Sequence, residues 1–406
     1  MTKEITFIHA ADLHLDSPFK GLATAPESIF REIRESTFTA LDELVRMAID
    51  KQVDFVLLVG DLFDNEQQSL KAQIRLKRAF ERLQQHHITV FLSYGNHDYI
   101  KANPHPVTYP NNVVIFQNET VSSVTYEKNG EVLARIYGFS YENRAVIKNK
   151  TAEYQITDPS VPYHIAMLHG SVQSNTDHDT YAPFKITELA NKDFDYWALG
   201  HIHQRQILKE YPPIVYSGNT QGRNRKEVGE KGCYLVRLTK DKSRLTFLPL
   251  QAIQITSIVV DVSLCQSVFD IEGHLLQQLQ QINGSIPQLI EVLLVSADKR
   301  LLDWDSEGRI EEVVDIVNET LIQSSNWQYL FRHTIQLKAA TFDPTLYEGE
   351  HFIGELLREA EQQSIQPFIT DLYQHKRARK FLERIENEDE IKEAAKELIV
   401  HELLKE

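Results

Sequence analysis

Through the first two hundred residues, short runs of aliphatic and aromatic residues alternate with longer stretches in which apolar positions return every three or four residues. ITFIHA (5–10), DFVLLV (54–59) and ITVFLS (88–93) are short and rich in β-branched residues, as strands are. Between them Leu41, Leu44, Val45, Ala48 and Ile49 mark one face of a helix, and Leu76, Phe80 and Leu83 mark a second. The order βαβαβ predicts an α/β domain. From about residue 113 the strands crowd together: VVIFQ, then VSSVTYE and VLARIYGF joined through Asn129-Gly130, a pair that tolerates the positive φ of a tight hairpin turn. HIAML (164–168), WAL, PIVYSG, CYLVRL and LTFLPL continue the series and imply a second, more antiparallel sheet. The expected fold is α/β, a two-sheet β-sandwich core flanked by helices and ending near residue 250.

Residues 253–339 follow a simpler scheme: strand IQITSIVVDV, a helix over 268–282, strand LIEVLLVS, a helix over 307–322, and strand WQYLFRHTIQL. This predicts a small α+β capping domain. Beyond Pro344 the pattern is helical, with Phe381, Ile385, Ile391, Ala395 and Leu398 on an apolar stripe that fits either docking onto its own domain or binding a partner. A chain of 406 residues exceeds what one hydrophobic core usually serves. The expected division is 1–250, 251–340 and 341–406, the last a helical partner-binding region.

Composition agrees with a folded globular chain, at 42% hydrophobic and 25% charged residues, and excludes a largely disordered or collagen-like one. The net charge of −15 opposes nucleic acid overall, yet residues 341–406 hold 9 Lys and Arg against 16 Asp and Glu, a net of −7. About half the excess lies there, which leaves room for a phosphate-binding face elsewhere. Cys233 and Cys265 lack CxxC spacing and lie in apolar surroundings, so they read as packing residues of a reducing compartment, with a disulfide as the alternative. MTKEITFIHAADLH has no signal-peptide pattern, and no apolar run approaches the roughly 20 residues that span a bilayer. The expected location is cytoplasmic, away from membranes.

The chemistry gathers at the strand ends, where open α/β sheets place ligands. The first strand runs into Asp12-Leu13-His14, the second into Gly60-Asp61, and the third into Gly95-Asn96-His97-Asp98. HIAML ends at His169-Gly170, and WAL ends at Gly200-His201-Ile202-His203. Taken singly, Asp61 could be a turn residue, Asn96 a left-handed residue and His169 a core histidine. Together Asp12, His14, Asp61, Asn96, His169, His201 and His203 form an oxygen and nitrogen donor set suited to hard or borderline divalent ions. Two such ions, roughly 3.5 to 4 Å apart, serve in-line displacement at phosphorus.

These blocks, DxH, GD, GNHD, HG and GHxH in this order, resemble those of the calcineurin-like metallophosphoesterase family. FIHAADLHLDSPF, LLVGDLFDN, LSYGNHD and DYWALGHIH are most similar to SbcD-type DNA-repair exonuclease subunits, in a YhaO-like branch. The motif resemblance spans roughly residues 5–225. It implies that Asp12, His14 and His203 hold one metal, Asn96, His169 and His201 the other, and that Asp61 bridges them. It also implies that His97 protonates the leaving oxygen or steadies the transition state, with Asp98 orienting its ring. Manganese is the expected metal, with iron or zinc also suiting these donors. His9 reads as a supporting or core residue. Asp64 departs from the histidine that several repair nucleases carry there and reads as a helix cap before NEQQSLKAQ, with contact to a metal-bound water as the alternative.

The resemblance implies a metal-dependent DNA nuclease, acting 3′ to 5′ with endonuclease activity as a further expectation. DNA ends would be its substrate, an SMC-like coiled-coil ATPase its partner at the terminal helices, and a homodimer its assembly. A small nucleotide phosphodiesterase and a non-catalytic scaffold subunit are the alternatives. GDLFDNEQ lacks the arginine of the protein-phosphatase block GDxxDRG, which removes that reading. Basic residues placed for DNA contact are Arg223, Arg225 and Lys226, with Lys71, Arg75, Lys77 and Arg78 on the second helix.

Overall fold

Apolar residues fill both faces of the first strands because each face meets a different layer. β1 (Ile5–Ala10), α1 (Glu27–Asp50), β2 (Phe55–Val59), α2 (Leu70–Gln85), β3 (Thr89–Ser93) and β4 (Val113–Ile115) follow in order. On one face Ile8, Val56, Leu58, Val90 and Leu92 pack with Leu41, Leu44 and Val45 of α1 and Leu76, Phe80 and Leu83 of α2. On the other, Phe7, Phe55, Leu57 and Phe91 turn towards a second sheet. The computed structural model describes residues 4–19, 25–64, 68–102, 107–173, 181–240, 242–282, 284–338 and 352–365, with Pro367, Lys392, Ala395 and Lys396.

The second sheet takes β5 (Ser122–Lys128), β6 (Glu131–Gly138), β7 (Tyr163–His169), β8 (Tyr196–Gly200), β9 (Gln206–Glu210) and β10 (Pro213–Tyr216), with the one-turn-and-a-half helix α3 (Ile186–Ala190) before β8. Its order is β5-β6-β7-β8-β10-β9. β11 (Gly232–Leu238) and β12 (Ser243–Pro249) return to the first sheet, whose order is β12-β11-β1-β2-β3-β4. Asn129 and Gly130, both at positive φ, turn the β5–β6 hairpin as expected. Ile136, Ile165, Met167, Tyr196 and Ala198 face the first sheet, while Ala166, Leu168, Trp197 and Leu199 face a separate outer cluster. The period-two alternation thus survives as a choice between two apolar layers.

β1 to β4 run parallel, and so do β6, β7, β8 and β10; the strands that reverse direction lie at or near the edges. The carboxyl ends of β1, β2, β3, β7 and β8 therefore emerge on one side. α3 and β9 escape sequence reading: the helix is too short to show a period, and QILKE is exposed along most of its length.

β13 (Gln254–Asp261), α4 (Val268–Gln281), β14 (Gln288–Ser296), α5 (Arg300–Ser306), α6 (Arg309–Leu321), β15 (Gln328–Leu337) and α7 (Phe352–Gln362) complete the described elements. β13, β14 and β15 form a three-stranded sheet. The helix expected over 307–322 begins at Arg309, after Gly308 has turned through a positive φ, and α5 precedes it unannounced. Contacts divide the chain into two compact units, one of residues 1–260, 267–293 and 310–334, the other of 261–266, 294–309 and 335–406. In the first, Ile253, Ile255, Leu289, Trp327 and Tyr329 share a core with Phe19, Ile29 and Ile33. In the second, Val262 N–H donates to Val295 O at 2.8 Å and Lys338 N–H to Ser296 O at 2.7 Å. Of the apolar stripe read beyond Pro344, Phe381, Ile385, Ile391 and Leu398 lie outside the described residues. No helix among the described residues is long and apolar enough to cross a membrane.

Trp327 is 3% exposed and donates its indole N–H to Glu32 on α1 at 2.8 Å. Trp327→Ala should cost about 3–5 kcal/mol, as a buried aromatic does. The expected readouts are a lower urea midpoint and faster amide exchange in β13 and in the Leu289–Leu293 stretch of β14, with β1 to β3 exchange changing less.

Candidate metal centre

The chain stops pairing as a regular sheet after β1, but the backbone ladder continues into the loops. Asp12 N–H donates to Gly60 O at 3.1 Å, His14 N–H to Asp61 O at 3.0 Å, and Gly60 N–H to Ser93 O at 3.1 Å. Asp12, His14, Asp61 and His201 all adopt positive φ, a conformation uncommon for side chains with a Cβ. Such strain persists only where surroundings hold it, and it clusters at functional sites. Close approach sets the glycines: a Cβ on Gly95 would lie 2.3 Å from Asp61 Oδ1, and one on Gly200 would lie 2.1 Å from Val59 O. The two sheets touch at this end, so donors from both can meet.

They do meet. Asp12, His14 and His203 bring ligand-type atoms within 4.8 Å of one another; so do His14, Asp61 and His97, and so do Asp61, His169 and His201. His14 Nε2 lies 3.1 Å from His203 Nε2 and 3.7 Å from Asp61 Oδ2. His169 Nε2 lies 3.4 Å from Asp61 Oδ2 and 3.0 Å from Asn96 Oδ1, whose oxygen is 3.2 Å from His201 Nδ1. Asp61 thus belongs to the groups on both sides.

The outward nitrogens explain which way the lone pairs face. His169 Nδ1 is 3.0 Å from Val59 O, and His203 Nδ1 is 2.8 Å from Glu227 Oε1. Donation at those nitrogens turns the bare Nε2 of each ring inward, that of His169 onto the Asn96 and Asp61 oxygens and that of His203 onto His14 Nε2. His14 Nδ1 is buried without a hydrogen bond. Asp61 Oδ2 and Asn96 Oδ1 both face His169 Nε2, and so many ligand-type atoms gathered in a largely buried site are adverse unless a cation or proton sits among them. The residues present therefore fit divalent ions.

Electrostatics separate this cluster from ordinary buried histidines. Burial lowers His9, whose ring meets Tyr196 Oη at 3.0 Å and Leu199 O at 3.1 Å, to about 3, despite the carbonyl. Burial would lower His169 too, but Asp61 and then Asp12 push it up to about 9. Asp12 is raised to about 6 by burial, against the pull of His169 and His203. Asp61 is buried as well, yet His169 and His14 hold it well below the usual carboxylate range.

The family profile for calcineurin-like phosphoesterases matches residues 5–205. The metallophosphoesterase YhaO of Bacillus subtilis (strain 168) is 36% identical over 99% of this chain and 99% of its own. The chain belongs to the calcineurin-like metallophosphoesterases. It is similar at greater distance to the DNA double-strand break repair protein Mre11 of Sulfolobus acidocaldarius, 22% identical over 77% of this chain and 84% of that one. The corresponding protein of Saccharolobus solfataricus is 24% identical over 58% and 61%. Metallophosphoesterases are hydrolases that use divalent metals, in accord with the donor clusters here.

In this metallophosphoesterase Asp12, His14, Asp61, Asn96, His169, His201 and His203 are all brought together at the strand ends. His97 also lies there, its ring edge-on to His14 with centroids 4.9 Å apart. The Asp64 carbonyl holds its Nδ1 at 2.7 Å. Asp98 does not take that part: its carboxylate accepts the N–H groups of Gly95 at 2.7 Å and Leu62 at 2.6 Å, pinning two strand-end loops together. Burial, then Asp61, raises Asp98 to about 7. Asp64 is no helix cap either. α2 is capped by Ser69, whose Oγ accepts from Ala72 N–H at 3.1 Å, and the Asp64 carboxylate pairs with Arg223.

Of the basic residues marked for DNA, Arg223 is drawn into the site, whereas Arg225 lies 3.7 Å from Glu291 and Lys226 is exposed. Lys71 and Arg75 are paired with Glu35 of α1, and Lys77 lies 3.9 Å from Glu81; Arg78 is exposed. The residue that sequence reading missed is Glu227. It is 8% exposed, lowered to about 2 by His203 and Arg223 against the upward push of burial, and fixed by the amides of Asn219 at 2.8 Å and Asn224 at 2.9 Å. Its signal was the end of PIVYSG: β10 runs parallel to β8, so its exit loop, 217–227, reaches the same side.

Glu227→Gln should keep the fold, by circular dichroism, while weakening metal affinity about 10- to 100-fold, the usual effect of losing the partner of a ligating histidine. Calorimetric titration with manganese reads it directly.

Proposed function

We propose that this metallophosphoesterase is a metal-dependent DNA nuclease with a dinuclear centre, acting as a 3′ to 5′ exonuclease with endonuclease activity in addition. The observation that carries the reading is Asp61, whose carboxylate belongs both to the group with His14 and to the group with His169 and His201. Asp12, His14 and His203 would hold one ion, Asn96, His169 and His201 the other, with manganese the preferred metal and iron or zinc served by the same donors. When bound, the pair supplies charge neutralisation at phosphorus and a lowered pKa for attacking water.

The chain's own groups do the rest. Asp98 and Asp61 lock the Gly95–Asp98 loop, Asp61 through Oδ1 accepting His97 N–H at 3.0 Å. That places the His97 ring beside the donor cluster, where it holds a proton for the departing oxygen. DNA as substrate is supported by the likeness to proteins named for double-strand break repair, and by the further sheet packed on α1, which a small nucleotide ester does not require. From the motif resemblance we propose an SMC-like ATPase as partner of the C-terminal region, and a homodimer.

Purified protein with manganese should shorten single- or double-stranded oligonucleotides. Asp61→Asn should abolish this, and His97→Ala should lower kcat by about 10²- to 10⁴-fold with metal content unchanged. Cleavage of a small phosphodiester alone would replace DNA by nucleotides as substrate. Two metals taken up with no ester cleaved would instead make the chain a scaffold.

A further inference from the structure

The exit loop of β10 brings a guanidinium to a place where folding alone gives it little to do. Arg223 has a side chain only 12% exposed, and one of its terminal nitrogens is paired with the Asp64 carboxylate. The other lies 3.3 Å from His203 Nδ1 and 3.8 Å from Glu227 Oε1. His203 Nδ1 is committed as a donor to Glu227, so it offers Arg223 no lone pair. Glu227 in turn is satisfied by the Asn219 and Asn224 amides and by the backbone N–H of Arg223 itself. Arg223 Nε is buried and makes no hydrogen bond. A guanidinium carries five N–H donors in a planar fork, and here most of that fork is unmatched.

Placing a fixed cation beside donors shaped for divalent cations is electrostatically adverse. Asp64 and Glu227 offset the charge, but they do not use the fork. An anion with paired oxygens does both: phosphate geometry matches two parallel N–H donors, and charge-assisted bonds of this kind are roughly twice as strong as neutral ones.

We propose that Arg223 is a substrate-binding residue that takes the non-bridging oxygens of the phosphodiester, and that Asp64 is the positioning residue that aims it. Asp64 acts with both its ends, the carboxylate holding Arg223 and the carbonyl holding His97 Nδ1 at 2.7 Å. The phosphate fork and the His97 ring are thereby set by a single residue. This inference rests on the phosphodiesterase reading, and it names the group that recognises the phosphate.

The test is calorimetric binding of inorganic phosphate to the full-length protein loaded with manganese, with metal content measured for each variant. Arg223→Ala should weaken phosphate binding by about tenfold or more, the scale of one charge-assisted hydrogen bond. Arg223→Lys, which retains the charge and so the balance of the metal site, should give a smaller loss, and it serves as the readout if Arg223→Ala takes up less metal. Asp64→Asn should weaken phosphate binding while leaving the backbone hold on His97. In turnover, Arg223→Lys should raise KM more than it lowers kcat. Equal phosphate affinity in wild type, Arg223→Ala and Arg223→Lys at equal metal content would overturn the proposal, as would a wild type that binds no phosphate. Phosphate bound through Arg223 without hydrolysis of any ester would support it and overturn the hydrolase reading alone.

Discussion

Ligand-type nitrogens and oxygens crowded together at the strand ends are the constraint around which this end of the protein is organised. His14 and His203 turn Nε2 atoms to within 3.1 Å of each other, and Asp61 sits between two such groups. No packing advantage follows from that arrangement, and in a low-dielectric interior it is costly until positive charge arrives. The rest of the fold absorbs the cost in advance. Two sheets, each buried on both faces, supply the rigidity, and their mutual approach at Gly200 and Val59 O brings the opposed sets of strand ends within reach.

The supporting contacts are mostly to backbone. Asp12 accepts His201 N–H at 3.0 Å with both oxygens, Tyr141 donates to His169 O at 2.9 Å, and Tyr216 donates to Gly170 O at 2.7 Å. Each bond ties one strand exit to another. Pre-organisation of this sort keeps donor positions fixed while charge changes, which is what a reaction at phosphorus requires of its surroundings.

Much of this was legible in the sequence because two signals are local. Unbroken apolar runs such as DFVLLV report strands covered on both sides, and glycines at 60, 95 and 200 next to polar residues report where those strands stop. The ligand-type residues stand at these stops, so spacing within a single segment was enough to find them. What spacing could not supply was pairing between segments. Asp64 is separated from Arg223, and His203 from Glu227, by intervening strands, and nothing in GDLFD or GRNRKE announces the other. Arg223 therefore read as part of a basic patch and Asp64 as a helix cap. The sheet of β13 to β15 was legible as elements, but its core with Phe19, Ile29 and Ile33 was not, since apolar periodicity states that a face is covered without stating by what.

Asp64 touches His97 through a main-chain carbonyl, an atom every amino acid possesses, and touches Arg223 through a side chain, which is not. The two attachments therefore differ in how far they depend on residue type. Mutation at this codon can exchange the outer contact, together with whatever selectivity it confers, while the imidazole keeps its anchor. One position thus separates a fixed anchor from an exchangeable one within the span of a single residue.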